Sequence, residues 1–238
     1  MKKQIICLII VVFGYLQLTA QNEVWNKKRI SASLVENFVV SPAQKKVKNG
    51  EYFVINDKKQ ELVRGKFKDG KKDSVWNFFN KNGEIIQQFD YRNNKMLYNV
   101  IDETSIVKEK FTIDTTVTGT LKVIPARKIG GVNYGFYLLY NEKSLPVQVK
   151  QQQDDVLMEY VFTISDTGNL EEWHIVFSSR FYNDDIKMSI RGLPSDAYEF
   201  TPAMIDGKPV RSKVVYQIPL NINQARDKGT YNIPTHQN

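Results

Sequence analysis

The chain is poor in the residues that most often carry chemistry. It has one cysteine and two histidines in 238 residues. One cysteine makes no intrachain disulfide and cannot supply the paired thiolates of a zinc site. The carboxylates nearest His174, Glu171 and Glu172, lack metal-ligand spacing, so His174 reads as a surface residue of a strand. His236 falls in a polar tail. No glycine-rich phosphate loop and no nucleophile elbow is present. Asp154-Asp155 and Asp184-Asp185 are paired carboxylates in sequence only. Neighbours on a strand face opposite sides, and Asp184-Asp185 reads better as a helix start. Without a convergent acid, base and nucleophile, no enzyme is expected, and no metal or other cofactor.

Long apolar runs are also scarce. One stretch, Ile5 to Leu18, follows the basic Met1-Lys2-Lys3 and precedes Leu18-Thr19-Ala20. It has the length of a signal-peptide core and falls short of the ~20 residues of a spanning helix. Residues 1–20 are therefore expected to be a signal peptide cut before Gln21, with the mature chain in the periplasm. Cys7 lies inside the apolar core, which argues against a lipoprotein anchor and leaves the mature chain without cysteine. The alternative is an uncleaved segment anchored in the inner membrane, the one case in which membrane contact is expected. The formal charge of +7 is scattered along the chain, with no basic helix or aromatic-basic module, so nucleic acid is not an expected partner.

Apolar and aromatic residues are plentiful, at 42% and 12%, enough for ordinary globular cores. Asn49-Gly50, Asp69-Gly70 and Asn82-Gly83 punctuate alternating aromatic segments between Val39 and Tyr98, and such pairs accept the positive φ of tight hairpin turns. The spacing repeats: Tyr52, Phe67, Gly70 and Lys71 are matched 24 positions later by Trp76, Tyr91, Asn94 and Lys95. A fixed period of this size predicts stacked strand pairs, each covering its neighbour's apolar face. Core packing in such a stack explains Trp76, Phe78, Phe79 and Tyr91 more simply than a sugar-binding platform. From Lys48 to Lys95 the pattern resembles the MORN-like repeats of YwqK-type antitoxin components. It departs from them at Asn94, where a glycine is usual, and at Asn56-Asp57, where the first repeat has its internal turn. This resemblance implies architecture rather than function. Residues 21–98 are accordingly expected to be a MORN-like β region, and 99–125 a connector or one or two further strands.

The pattern changes from Pro125 onward. Gly130-Gly131 opens a predicted short helix through Phe136, Leu138, Leu139 and Leu145, stopped by Pro146. Met158 to Ile164 alternates as a strand, Asp166 to Asn169 is a turn, and Trp173, Ile175 and Phe177 mark a returning strand. Ile186, Ile190 and Leu193 stand at helical spacing. The last strand runs through Val210, Ser212, Val214, Tyr216, Ile218, Leu220 and Ile222, and Pro219 inside it predicts a sheet edge.

These residues together resemble the TonB C-terminal domain over about Ile129 to Ile222. The resemblance lies in Leu145-Pro146, the first hairpin, Phe200-Thr201-Pro202-Ala203 with Gly207-Lys208-Pro209-Val210, and Val215 to Leu220. Leu145 stands where that family has tyrosine, and the glycine usual before the first strand is missing near Asp155-Val156. The chain also lacks the proline-rich spacer and membrane histidine through which TonB meets its motor partners. The resemblance implies an α+β fold: an N-terminal antiparallel sheet of MORN-like repeats, then helices packed on a three-stranded antiparallel sheet over 126–223, and a disordered tail over 224–238. It also implies a binding or adaptor protein of the envelope. An extended peptide of an envelope partner, such as an outer-membrane TonB-dependent receptor, would add to the open last strand. Arg211, Lys213, Val215 and Gln217 would flank that peptide, with Pro146 shaping the adjoining turn. One competing reading is a solvated strand face blunted by its Arg and Lys. Others are a structural envelope protein that binds through the MORN-like sheet and an anchored energy transducer.

Overall fold

Alternating apolar residues govern most of the chain, and strand is the result. The computed structural model describes residues 24–41, 44–100, 107–113, 121–139, 146–151 and 156–220. The proposed signal peptide, Asp154-Asp155, His236 and the 224–238 tail lie outside these residues.

Seven strands form an antiparallel meander in chain order: β1 (Val24–Arg29), β2 (Leu34–Ser41), β3 (Gln44–Asn56), β4 (Glu61–Lys68), β5 (Lys71–Phe79), β6 (Ile85–Asp90) and β7 (Lys95–Asn99). The 24-residue period is visible in three dimensions. Tyr52 meets Phe67 at 5.1 Å and 65° between ring planes, and Trp76 meets Tyr91 at 5.2 Å and 66°. The turns repeat as well. Asn56 Oδ1 accepts the N–H groups of Lys58 and Gln60, and Asn80 Oδ1 those of Asn82 and Glu84, so one Asx turn recurs a period later. Gly65 is required by the stack, because a Cβ there would lie 2.3 Å from Cδ2 of the Trp76 indole.

Two of the three expected hairpin turns are found, at Asp69-Gly70 and Asn82-Gly83. Asn49-Gly50 instead lies within β3, at an irregularity in its pairing with β2. Gly50 takes φ 115° against the Val39 side chain, and Asn49 Oδ1 accepts the N–H of Asp69. The pair bends a long strand and braces the neighbouring turn.

The second half holds a five-stranded antiparallel sheet in the order β13 (Asn183–Lys187), β12 (Leu170–Ser178), β11 (Leu157–Ile164), β17 (Ser212–Pro219) and β8 (Lys108–Ile113). Two small sheets accompany it. One pairs β10 (Arg127–Lys128) with β14 (Phe200–Thr201), and the other has the order β16 (Lys208–Val210), β15 (Ala203–Ile205), β9 (Val123–Ile124). Among the described residues, helix is limited to α1 (Gly131–Phe136, wound as a π-helix and continued through Tyr137–Leu139), α2 (Val147–Gln151) and a 3-10 turn, Ser195–Tyr198. None of these is long and apolar enough to cross a membrane.

The α+β expectation is thus overturned, since the protein is mostly β with several antiparallel sheets. The clearest reason lies at Ile186. The helical spacing of Ile186, Ile190 and Leu193 yields to the unpaired edge of β12: Ile186 pairs with Ile175, and Met188 N–H donates to Trp173 O at 2.8 Å. Asp184-Asp185 belongs to that strand and starts no helix.

The last strand is likewise not an edge. β17 pairs with β11 from Ser212 to Pro219 and, on its other side, with β8 from Ser212 to Gln217. Pro219 sits two residues beyond the last pair with β8, so its missing N–H costs that ladder nothing. A proline at a strand's end reports only a local lack of pairing. The stretch read as a connector supplies both β8 and β9.

The two halves share one apolar core. Buried side chains run without a break from Leu34, Val54 and Trp76 to Phe162, Trp173 and Tyr216. Across the junction Phe78 stacks on Tyr134 at 6.0 Å, and Gln87 accepts the Gly130 N–H while donating to Lys128 O.

Candidate functional site

Arg211 is exposed and its Nε donates to Glu171 Oε2 at 2.7 Å. Lys213 lies between Thr163 and Thr112, Val215 between Val161 and Lys110, and Gln217 between Glu159 and Lys108. Gln217 Nε2 donates to Glu159 Oε1. Both flanks of this strand carry the protein's own backbone, so strand addition there is closed. Pro146 is half-buried and precedes α2. His174 bonds Asp185 on β13 through Nδ1 at 2.6 Å, a partner not suggested by its sequence neighbours. Among the described residues, no group of three or more His, Cys, Asp or Glu side chains is placed to hold a metal.

The structure draws attention elsewhere, to the junction of the halves. A cleft of about 700 Å³ opens there. The repeat sheet contributes Lys48, Tyr52, Phe67, Lys72 and Tyr91 to its lining, and the C-terminal half contributes Tyr134, Asp196 and Glu199. Lys28, Lys46, Asp69 and Lys71 also line it.

Two lysines organise this cleft, and they stand one period apart. Lys48 Nζ lies 4.9 Å and 5.0 Å from the ring centres of Tyr52 and Phe67, and 4.7 Å from that of Phe38. Lys72 Nζ lies 5.1 Å and 4.6 Å from those of Trp76 and Tyr91. Each ammonium therefore rests on the electron-rich faces of its own repeat's aromatic pair. Lys48 is ion-paired to Glu36 on β2. Lys72 reaches into the other half, to Asp196 Oδ1 at 2.8 Å and Glu199 Oε2 at 2.7 Å.

A chain of polar contacts links the two lysines. The Tyr52 side chain interacts with both Glu36 and Tyr134. Tyr134 donates its hydroxyl to Asp196 Oδ2, and Tyr91 donates its own to Glu199 Oε2, each at 2.7 Å. Burial would push the Asp196 carboxyl up, but Lys72, Tyr134 and Lys128 outweigh it and hold the group below the ordinary carboxylate value. The hydroxyls of Tyr52, Tyr91 and Tyr134 are pushed up, first by burial and then by nearby carboxylates. They stay protonated and serve as bridges.

Lys128 lies behind this network, 1% exposed. Its Nζ donates to the carbonyl oxygens of Ile129, Asp196 and Glu199 at 3.2, 2.7 and 2.7 Å. Burial brings the ammonium down to about 7, against the pull of Glu199 and Asp196. In the ammonium form all three donors have acceptors, so Lys128 ties these carbonyl groups together as a strut. Gly135 leaves room for its stem, since a Cβ there would fall 2.7 Å from Lys128 Cγ.

Sequence reasoning passed over Lys48, Lys72, Asp196 and Glu199. The 24-residue offset already linking Tyr52 to Trp76 also links the two lysines, so that signal was present. Nothing local marks Asp196 and Glu199 as their partners. No family model, curated protein or solved structure matches the chain.

Proposed function

We propose that this is an exported, non-enzymatic binding protein of the cell envelope whose junction cleft receives a segment of an envelope partner. The cleft carries the reading, because cations, aromatic faces and carboxylates from both halves converge there on one accessible space. Export to the periplasm is supported by the basic start and apolar core of residues 1–20. The resemblance of residues 129–222 to the TonB C-terminal domain supports a TonB-dependent outer-membrane receptor as the class of partner. The contact moves from Arg211, Lys213, Val215 and Gln217 to the cleft, since β8 and β11 close both flanks of β17. The non-enzymatic part is supported by the engagement of Lys128, Asp196 and Glu199 with one another and with Lys72. The reading in which the MORN-like sheet does the binding merges with this one, because that sheet supplies most of the lining.

A photo-crosslinking residue placed at Lys46, on the cleft, is expected to give a discrete adduct in living cells. The same residue at Arg211 is expected to give none. The reverse pattern overturns the proposal.

A further inference from the structure

We infer that Lys48 is the docking point for an acidic segment of the partner, one with two carboxylates three residues apart. One of these joins Glu36 at Lys48, as Asp196 and Glu199 share Lys72, and the other meets Lys46 and Lys71 on the same cleft. This rests on the cleft being the binding site.

Lys48 and Lys72 occupy the same place in successive repeats, each over its repeat's aromatic pair. The two positions differ in occupancy. Lys72 Nζ meets Tyr91 Oη at 3.1 Å, Asp196 Oδ1 at 2.8 Å and Glu199 Oε2 at 2.7 Å, and its side chain is 10% exposed. Lys48 Nζ meets Glu36 alone among the described residues, and its side chain is 26% exposed on the cleft wall. An ammonium has three N–H donors, so two at Lys48 have no oxygen acceptor among the described residues and have only the rings of Phe38, Tyr52 and Phe67 beside them.

Charge completes the case. The Lys72 position already holds two carboxylates on one lysine, so a second carboxylate beside Lys48 and Glu36 has a precedent in the same molecule. Five lysines of the lining, Lys28, Lys46, Lys48, Lys71 and Lys72, stand against four carboxylates, Glu36, Asp69, Asp196 and Glu199, and Lys28, Lys46 and Lys71 have no ion-pair partner among the described residues. The resulting field favours an anionic arrival. The chemistry of the arrival is displayed by the chain's own tenant, the Ser195–Tyr198 turn, which brings Asp196 and Glu199 to a single ammonium.

The test is a fluorescence-anisotropy titration of the full mature protein with a labelled octapeptide, Pro-Ser-Asp-Ala-Tyr-Glu-Phe-Thr, copied from residues 194–201. The control peptide carries Asn and Gln in place of its two acids. The acidic peptide should bind about tenfold tighter than the control, and Lys48→Gln should abolish that difference. The double variant Lys46→Glu/Lys71→Glu alters only exposed side chains and should weaken the acidic peptide by a similar factor. It also guards against misfolding of Lys48→Gln. Equal binding of both peptides, or undiminished binding by Lys48→Gln, overturns the inference and leaves the cleft reading standing. If neither peptide binds while the Lys46 adduct persists, the inference fails alone, and if that adduct is missing too, both fail. A polyuronate oligosaccharide that binds tighter than the peptide and is lost in Lys48→Gln assigns the position to an anionic glycan, against a peptide.

Discussion

The repeat sheet and the C-terminal half cover their apolar faces by different means. In the sheet each strand pairs with its sequence neighbour, and the same contacts recur every 24 residues, from the Tyr52–Phe67 pair to the Trp76–Tyr91 pair. In the C-terminal half the last strand is enclosed by β11 on one side and by β8, about a hundred residues earlier, on the other. Local repetition is readable from one stretch of sequence. Closure by a distant strand is not. The same contrast applies to the two lysines: Lys48 is held within the sheet, whereas Lys72 has been taken over by the other half.

That contrast sets the scale of the expected effects. Lys72→Met should be the most damaging, because it leaves Asp196 and Glu199 partly buried without their cation, at a cost of about 4 kcal/mol in urea unfolding. If it costs no more than Lys48→Met, Lys72 does not dock the halves. Gly65→Ala should cost about 3 kcal/mol, since its methyl group meets the Trp76 ring and displaces the aromatic column. A variant that melts with the wild type would show that this column is loosely packed. Lys48→Met should cost about 2 kcal/mol, as Glu36 is buried but Tyr52 still interacts with it.

The Lys128 effect should appear as a slope with pH. Its folded value is about 7 and its ordinary value 10.5, so between them the unfolded chain binds more proton. The penalty for burying the charge is complete below about 7 and is relieved as pH rises toward 10.5. The stability of the wild type relative to Lys128→Met should therefore climb from pH 7 to pH 10, and a flat or falling difference contradicts the buried ammonium. Arg211→Ala should do least, below about 1 kcal/mol, as expected for an exposed ion pair with Glu171.

Much of the repeat sheet was legible, because a hairpin is written locally. Asp69-Gly70 takes positive φ at both residues, as a tight turn between alternating strands requires. Asn49-Gly50 has the same letters, but its neighbours pair onward through it, and only β2 and β4 decide that. In the C-terminal half the Leu157–Ile164 and Leu170–Ser178 hairpin followed from alternation, whereas Ile186 to Leu193 did not. Three apolar residues at helical spacing do not outweigh an edge strand waiting to be paired. The candidate site was the least legible part. Its lysines obey the period, but its acids come from a turn more than a hundred residues away whose approach is set by the shared core.

A berth that recurs at fixed intervals makes the sheet modular. Duplicating one 24-residue unit would add another cationic seat to the sheet. The number of such cation-on-aromatic seats is then set by how many repeats the sheet carries.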